Sequence, residues 1–241
     1  IKNSNIFIKS NILGTYSLLN ILNDYCKKIK KKIKFINVST DEVYGSIKKG
    51  SFLENDKFYP NSPYSASKAS SDMLSRAWHK TFKLPIITTN CSNNFGPFQN
   101  KEKLIPKTII NALSKKKIPI YGKGENIRDW IYSMDHCKIL NLIIRKGKIG
   151  EVYNIGGNNE IKNIELIKKI CKILDKLIPL ENKKTYLNLI KFVKDRPAHD
   201  LRYGINSSKI KKKLGVRIKK KFDYNLKKTI IWYIKNYKKV K

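Results

Sequence analysis

Tyr64 and Lys68 are the first pair of residues whose types and spacing could support chemistry. A helix would place side chains at this i, i+4 spacing on one face. At neutral pH a tyrosine hydroxyl is a poor proton acceptor because its reference pKa is roughly 10, so it is almost fully protonated. A neighbouring ammonium group favours the ionised phenolate, which can accept a proton. The pair therefore predicts a proton-accepting tyrosine, although Tyr and Lys at this spacing are common on helices and are weak evidence alone.

Thr40, Asp41 and Glu42 form a second candidate group, directly after the apolar run 35–38. In a parallel sheet, ligands bind beyond the carboxyl ends of the strands, which is where these polar residues fall. Two adjacent carboxyl groups can supply a general acid and a general base. The alternative is a helix N-terminus, where Ser, Thr, Asp and Glu are all favoured, and this motif alone leaves both interpretations open. Its combination with the Tyr/Lys pair favours an active site.

The elements that must position these residues follow from hydrophobic periodicity. Short apolar runs alternate with stretches whose apolar residues recur at helical spacing. The predicted strands cover 34–38, 85–91, 119–121, 130–132 and 151–155, and the predicted helices cover 12–29, 63–82, 104–113, 135–144, 163–177, 206–214 and 223–237. Ser62 followed by Pro63 predicts the N-cap and first turn of the helix that carries the Tyr/Lys pair. This alternation predicts an α/β fold with a parallel sheet and crossover helices.

The net charge of +34 first suggests an anionic partner, but the composition argues against nucleic acid. Of the 52 Lys and Arg residues only 6 are Arg, the residue that proteins favour for reading bases and gripping phosphates. The lysines are also spread along the whole chain. We therefore expect no nucleic-acid partner. We expect no membrane association either, since the apolar runs are far shorter than the roughly 20 residues of a membrane-spanning helix.

The cysteine pattern indicates the compartment. Four cysteines, Cys26, Cys91, Cys137 and Cys171, are scattered without Cys-x-x-Cys spacing. This argues against a disulfide scaffold or a zinc knuckle and suits a reducing environment, so we expect a cytoplasmic protein without a metal site. The length of 241 residues allows one large domain or two small ones with a substantial core.

Five longer strings carry a family resemblance: Ser39–Gly45, Ser62–Ala69, Asn90–Pro97, Arg128–Trp130 and Asp195–Asp200. Together they resemble the dTDP-glucose 4,6-dehydratases of the extended short-chain dehydrogenase/reductase superfamily, over nearly the whole chain. The first two strings contain a Thr, a Tyr and a Lys that match the Ser/Thr-Tyr-Lys triad of the superfamily. Nucleotide-sugar epimerases share the Tyr/Lys pair but lack two adjacent acids after the triad Thr, so the acid pair favours the dehydratases.

The resemblance implies a Rossmann-like, doubly wound parallel sheet with a smaller α/β substrate-binding domain, and NAD as the cofactor. It implies dehydration of dTDP-glucose to dTDP-4-keto-6-deoxyglucose by transient oxidation at C4, loss of water across C5 and C6, and return of the hydride to C6. Tyr64 would deprotonate the C4 hydroxyl, helped by Thr40 and Lys68. Glu42 would take the C5 proton, and Asp41 would protonate the departing C6 hydroxyl.

The resemblance also implies which residues bind ligands. The cofactor would contact Ser10, Tyr64, Lys68 and Asn94, with Ser10 standing where the family usually has Thr. The residues that match substrate-binding positions are Thr40, Asn93, Lys103, Leu104, Pro119, Ile120, Tyr121, Arg128, Asn163, Asp195, Arg196, Pro197, Ala198 and His199. Arginine suits a diphosphate because its planar guanidinium group binds oxygens bidentately. Ala198 is a departure, since the family normally has Gly there, and it could tighten the loop around His199.

The matched motifs predict two domains. Their ranges are 1–97 with 133–157 for the remainder of the NAD-binding domain, and 98–132 with 158–241 for the sugar-nucleotide-binding domain. The family's GxGxxG fingerprint, whose backbone amides cradle a pyrophosphate, is not found in the sequence. Ile1 aligns part-way into the family pattern, so we expect an amino-terminally incomplete sequence that is inactive alone.

A homodimer is implied as well, because two long helices of the family pack against their copies. The corresponding segments and candidate apolar contacts are 12–29 with Leu18 and Leu22, and 62–82 with Met73 and Ala77. A role in the core alone is an equal alternative for these four residues. Three alternatives stay open: a non-catalytic sugar-nucleotide-binding remnant, another nucleotide-sugar dehydratase or epimerase, and a basic nucleic-acid binder built on an enzyme scaffold.

Overall fold

The computed structural model describes residues 4–217 and 221–240. Its helices are α1 (Asn5–Phe7), α2 (Gly14–Ile29), α3 (Pro63–Phe82), α4 (Leu104–Leu113), α5 (Ser133–Lys146), α6 (Asn163–Leu177), α7 (Ser208–Leu214), α8 (Phe222–Lys235) and α9 (Tyr237–Val240). Its strands are β1 (Phe35–Thr40), β2 (Ile86–Cys91), β3 (Asn93–Phe95), β4 (Ile118–Tyr121), β5 (Ile127–Tyr132), β6 (Val152–Ile155), β7 (Glu160–Lys162) and β8 (Ile190–Val193). A π-helical segment covers Ile8–Leu13, and 3-10 helices cover Asp41–Tyr44 and Tyr186–Leu189. The predicted α/β class is confirmed.

The chain forms two compact units. The first extends to Ser92 and also contains His136–Gly156 and Arg202–Arg217. The second contains Asn93–Asp135, Gly157–Leu201 and, of the chain after Arg217, the described residues 221–240. The units are described separately below.

Four segments, 93–97, 133–135, 157 and 202–217, lie in a different unit from the one in the predicted ranges, and the first and last of them are the longest. Residues 93–97 lie in the second unit, because β3 pairs with β5. Residues 202–217 lie in the first unit, where Ile205 forms a β-bridge with Phe52 and the Phe52 amide donates a hydrogen bond to the Gly204 carbonyl at 2.8 Å. These backbone contacts were not readable from the sequence, because they join residues far apart along the chain.

A parallel sheet in the order β1-β2-β6 forms the centre of the first unit. In its register Thr40 pairs with Cys91, and Cys91 pairs with Ile155, so the carboxyl ends of all three strands are level. α3 follows β1 and returns the chain to the start of β2, as a parallel pair requires. The edge of the sheet that carries Thr40 is therefore the edge at which α/β proteins bind ligands.

α3 begins with a reciprocal cap, which confirms the predicted N-cap. The Ser62 hydroxyl accepts a hydrogen bond from the Ser65 amide at 3.1 Å, and the Ser65 hydroxyl accepts one from the Ser62 amide at 3.1 Å. Pro63 occupies the first turn, where a missing N–H costs nothing. The helix ends at Phe82, because Lys83 adopts a left-handed conformation with φ of 56°.

Replacing Ser62 by Ala is expected to destabilise the protein by about 1 kcal/mol, because the Ser65 amide of the first turn loses its hydroxyl acceptor. Urea denaturation of the variant and the natural protein measures the difference. The matched control is Ser70→Ala, since Ser70 lies inside the same helix and its hydroxyl donates only to the Ala66 carbonyl. Equal stability of the two variants would contradict the role of the cap.

The second unit surrounds its own apolar core. Its strands form a sheet in the order β3-β5-β7, with β3 parallel and β7 antiparallel to β5, and a separate parallel pair of β4 with β8. α4, α6 and α8 contribute fully buried side chains such as Ile109, Ile170 and Ile230. Among the described residues, none of the helices combines the length and the apolar character that crossing a bilayer requires.

Candidate active site

The carboxyl end of β1 carries the predicted Thr and acid pair. Thr40 caps the 3-10 helix Asp41–Tyr44, because its hydroxyl oxygen accepts a hydrogen bond from the Glu42 amide at 3.3 Å. The same hydroxyl donates to Oδ1 of Asp41 at 3.2 Å. Asp41 is buried and Glu42 is half-buried, so the two carboxyl groups have different surroundings. The segment is both a helix start and a polar cluster at a strand end.

Tight packing fixes the far end of this short helix. The Tyr44 hydroxyl donates to Oδ1 of Asn154 at 2.9 Å, and its ring stacks on Phe52 with centroids 5.3 Å apart. Gly45 follows with φ of 84°, and a Cβ there would lie 2.3 Å from the Tyr59 carbonyl oxygen. Only glycine fits this turn, which holds the acid pair at the end of the strand.

Tyr64 and Lys68 lie on α3 and are both half-buried. Lys68 Nζ donates a hydrogen bond to the Val38 carbonyl of β1 at 2.7 Å. The Tyr64 ring packs edge-on against Phe7, with centroids 5.5 Å apart. The lysine therefore ties the helix to the strand that ends in Thr40.

The pKa of the Tyr64 hydroxyl is raised above its ordinary value. Burial is the main cause, and the negative charge of Glu42 is the next. Smaller contributions of the same sign come from Cys91, Asp41 and Asp72. The acid pair thus lies within electrostatic range of Tyr64, and added positive charge is needed to stabilise the phenolate.

Lys68 experiences opposing influences. Burial lowers the pKa of its amine, whereas the negative charge of Asp72 and the thiol of Cys91 raise it. Asp72 is itself buried in α3, where it accepts hydrogen bonds from Asn37 Nδ2 of β1 at 2.7 Å and from Asn90 Nδ2 of β2 at 3.0 Å. A polar network therefore lies beneath the Tyr/Lys pair.

The two remaining predicted cofactor contacts lie in different units. Ser10 is exposed on the π-helical segment of the first unit, where its neighbour Asn11 donates to the Ser67 hydroxyl of α3 at 2.9 Å. Asn94 lies in β3 of the second unit, and its carbonyl accepts a hydrogen bond from Gln99 Nε2 at 2.8 Å.

Arg128 is only 7% exposed and hydrogen-bonds to the backbone at Asp200 and Leu201, at the end of a loop of the second unit. Its guanidinium donates to the Asp200 carbonyl at 2.8 Å and the Leu201 carbonyl at 3.2 Å. It also donates to its neighbouring Ile127 carbonyl at 2.7 Å. The structure thus gives this predicted substrate-binding arginine a backbone-holding role as well.

The loop Asp195–His199 forms a chain of side-chain contacts in the second unit. His199 Nδ1 donates to Asp195 Oδ1 at 2.6 Å, and Arg196 Nη2 donates to His199 Nε2 at 2.9 Å. This pattern requires neutral imidazole, and burial lowers the pKa of His199 against the opposing effect of Asp195. The Arg196 guanidinium also lies 5.1 Å from the Tyr121 ring centroid. Ala198 has φ of 50°, a left-handed conformation that favours the glycine expected there.

The other predicted substrate contacts occur at several places in the second unit. Asn93 lies in β3, Lys103 and Leu104 lie at the start of α4, and Asn163 is the first residue of α6. Pro119 and Tyr121 are half-buried in β4, whereas Ile120 between them belongs to the apolar core. Pro197 is exposed in the loop.

Comparison with known proteins agrees with this geometry. A family model described as GDP-mannose 4,6 dehydratase matches residues 1–229. A probable dTDP-glucose 4,6-dehydratase from Sinorhizobium fredii is 47% identical over 95% of this chain and 67% of its own length. The chain belongs to the dTDP-glucose 4,6-dehydratase family. The family that the motifs indicated is thereby confirmed.

Solved dehydratase structures agree with the fold. The dTDP-glucose 4,6-dehydratase of Bacillus anthracis, in complex with NAD, matches with a TM-score of 0.87 and 45% identity over 99% of this chain and 73% of its own. The enzyme of Streptomyces venezuelae, with NAD and TYD bound, matches with a TM-score of 0.89 and 40% identity over 98% of this chain and 69% of its own. The predicted Rossmann-like fold is confirmed.

The sequence motifs did not identify the buried polar residues that hydrogen-bond beneath the Tyr/Lys pair, Asp72, Asn37 and Asn90. Asp72 follows Lys68 by one further helical i, i+4 step, a signal that the sequence does contain. Asn37 and Asn90 lie inside apolar strands, and a polar residue buried in a strand needs a partner. Neither signal says which residue that partner is.

Proposed function

We propose that the protein dehydrates dTDP-glucose to dTDP-4-keto-6-deoxyglucose. The observation that carries this proposal is the acid pair, which follows the triad Thr and lies within electrostatic range of Tyr64. An oxidoreductase that only moves a hydride needs one base, whereas elimination of water needs both a base and an acid. The names of the relatives support the same substrate.

The first step assigns a proton to Tyr64. Its phenolate oxygen accepts the proton of the C4 hydroxyl, and Thr40 helps to orient that hydroxyl. Lys68 stabilises the phenolate through its positive charge, while its hydrogen bond to the Val38 carbonyl holds the ammonium near the strand end.

The elimination uses the two carboxyl groups. Glu42 accepts the C5 proton, which the neighbouring C4 ketone makes acidic. Asp41 donates a proton to the C6 hydroxyl as it leaves as water. Asp41 is buried and Glu42 is half-buried, which suits two carboxyl groups that must start in different protonation states.

NAD is the cofactor we propose, and when bound it supplies the hydride acceptor for C4 and the hydride donor for C6. The hydroxyl, ammonium and carboxyl groups at the carboxyl edge of a parallel sheet fit the nicotinamide end of such a cofactor. Tyr64, Lys68, Ser10 and Asn94 would hold it. The positive charge of its oxidised ring would favour the Tyr64 phenolate, whose formation burial and Glu42 oppose.

The second unit would bind the sugar nucleotide. We assign the diphosphate to Arg196 and Arg128, and the nucleobase to Pro119, Ile120 and Tyr121. The remaining contacts proposed in this unit are Asn93, Lys103, Leu104, Asn163, Asp195, Pro197, Ala198 and His199, while Thr40 of the first unit is the contact proposed for the C4 hydroxyl. The contact of Arg196 with Tyr121 supports a common binding surface for these two parts of the ligand.

The test is to incubate the complete product of the gene with dTDP-glucose and NAD. Mass spectrometry should show a product lighter by one water, and NMR should show a ketone at C4 and a methyl group at C6. An isomer of unchanged mass would indicate an epimerase instead. Binding without any product would indicate a non-catalytic remnant.

We propose a cytoplasmic protein with no nucleic-acid or membrane partner. The four cysteines carry thiols in the structure, which a reducing compartment preserves. The scarcity of Arg among the basic residues supports the absence of a nucleic-acid role. Retention on DNA with a steep dependence on salt would contradict this part of the proposal.

We also propose a homodimer through α2 and α3. Leu18 and Ile21 on α2 are 57% and 67% exposed, and Met73 on α3 is also exposed. Leu22 instead packs against the first unit's core. An exposed apolar strip on two adjoining helices matches a second copy of the same strip, since symmetric interfaces are self-complementary.

Replacing Leu18 and Ile21 together by Lys is expected to raise the dimer dissociation constant at least about tenfold, because two charges would be buried in the interface. Sedimentation at several micromolar concentrations measures the change. The matched control is Ile178→Lys, an exposed isoleucine at the end of α6. A natural protein that sediments as a monomer at these concentrations would overturn the dimer.

A further inference from the structure

Three ionisable side chains form a ladder along one face of α3. Tyr64, Lys68 and Asp72 follow one another at i, i+4 and i+8, so each lies one turn from the next. The proposed mechanism uses the first two and leaves the third without a role. Asp72 is only 3% exposed, and a buried carboxylate is costly unless its charge is compensated.

Hydrogen bonds fix the Asp72 carboxylate from two strands. Oδ1 accepts from Asn37 Nδ2 at 2.7 Å and Oδ2 accepts from Asn90 Nδ2 at 3.0 Å. Oδ1 of Asn37 in turn accepts from the Ser71 hydroxyl at 3.2 Å, and Asn90 Nδ2 also donates to the backbone carbonyl of Thr40 at 3.3 Å. The carboxylate is therefore held rigidly beside the end of β1.

Lys68 needs a negative charge at this place. Its ammonium donates to the Val38 carbonyl, which is a neutral acceptor. Burial opposes the charged amine, and Asp72 is the largest influence in its favour, followed by Cys91 of β2. Conversely, Lys68 is the charge that stabilises the Asp72 carboxylate, whose pKa burial raises to about 6. Each of the two charges thus favours the ionised form of the other group.

We propose that Asp72 is a positioning residue that acts through Lys68: its buried, hydrogen-bonded carboxylate keeps the lysine ammonium charged at the end of β1. The meaning for catalysis rests on the proposed function, because the charged ammonium is what stabilises the Tyr64 phenolate. The electrostatic coupling itself does not depend on the reaction. It can therefore be tested without substrate or cofactor.

The Asp72→Asn variant removes the charge and can keep the hydrogen bonds. If the Asn37 amide turns over, its oxygen accepts from the new amide and its nitrogen donates to the Ser71 hydroxyl. The Asn90 bond is retained by the new carbonyl oxygen. The variant thus separates the charge from the shape of the network.

Competitive acetylation with acetic anhydride reads the ionisation of Lys68 directly, because only the free amine reacts. Trypsin, cutting after Lys57 and Arg76, places an acetylated Lys68 in one peptide, residues 58–76. We expect Lys68 in the Asp72→Asn variant to react about three- to tenfold faster at pH 8, since a pKa lowered by one unit gives about ten times more free amine. Asp24→Asn, the same change at an exposed site on α2, is the matched control and should leave the rate unchanged.

The Asn37→Ala variant tests the structural alternative. It removes the hydrogen bonds of the Asn37 side chain to Asp72 and Ser71 but keeps the Asp72 charge, so the Lys68 rate should stay within about twofold of the natural protein even if stability falls. An unchanged Lys68 rate in Asp72→Asn, or an equal acceleration in Asn37→Ala, would overturn the proposal. Failure of the dehydration assay would not, because acetylation is measured without the reaction.

The natural protein offers a second test that needs no variant. The ionisable groups facing Lys68 and Asp72 are Tyr64, Tyr44 and Cys91, besides each other. As the pH falls below about 6, Asp72 becomes protonated and Lys68 loses its counter-charge. The acetylation rate of Lys68 relative to exposed lysines should then rise, and a ratio that is flat from pH 8 to pH 5 would contradict the coupling.

Discussion

The Tyr64→Phe variant is expected to convert dTDP-glucose about 10²–10⁴-fold more slowly than the natural protein, which is the usual contribution of a general base. Phenylalanine keeps the ring that packs against Phe7 but lacks the oxygen that accepts the C4 proton. Oxidation at C4 should therefore fail before elimination can begin. The rate is the rate of product formation by the complete gene product, and mass spectrometry measures it.

The pH profile adds a second expectation for Tyr64. Burial and the charge of Glu42 raise the pKa of the hydroxyl, so the phenolate fraction grows as the pH rises through and above neutrality. The natural protein should show kcat/KM rising over this range, and Tyr64→Phe should lose that rise. The control is Tyr59→Phe, which removes an exposed hydroxyl. Activity of Tyr64→Phe within tenfold of the natural rate would mean that another group accepts the proton.

The long elements of the fold were predictable because their signals are local. The Ser62 cap followed by Pro63 fixed the start of α3, and the helix ends at Phe82 as periodicity indicated. The predicted helices 104–113 and 163–177 also have the bounds found in the structure. In each case the cap, the apolar spacing and the breaking residue lie within one stretch of chain.

The short strands were not predictable for the opposite reason. β3 and β7 have three residues each, and β8 has four, too few for a period to be visible. Each exists through a partner that is distant along the chain, as β8 does through β4. The π-helical segment before α2 was likewise missed, since an extra residue in a turn leaves helical spacing nearly intact.

The site was predictable where chemistry and spacing coincide. The positions of Thr40 at a strand end and of Tyr64 and Lys68 on one helix follow from the motifs and agree with the structure. The backbone-holding contacts of Arg128 were not predictable, because its carbonyl partners belong to a loop remote in sequence. A backbone carbonyl acceptor cannot be predicted from residue types, because every residue has a backbone carbonyl.

The Glu42→Gln variant is expected to stop the reaction after its first step. Glutamine keeps the size of the side chain, and the backbone amide that bonds to Thr40 is unaffected. Removing the negative charge also relieves one of the causes that raise the pKa of Tyr64, so proton transfer from the C4 hydroxyl should not be impaired. No group remains to take the C5 proton, and product formation should fall by about 10²–10⁴-fold.

Two measurements separate this stall from a loss of binding. Near-ultraviolet absorbance of reduced cofactor should build up after mixing with dTDP-glucose, and the C5 hydrogen should not exchange with deuterated solvent. The matched variant is Asp41→Asn, which removes the proton donor next to Glu42 in sequence. It should still exchange the C5 hydrogen, since the base is intact, but release water slowly. If Glu42→Gln instead binds dTDP-glucose normally and reduces no cofactor, the Glu42 carboxylate is needed at the first step, and the assignment of the base at C5 is wrong.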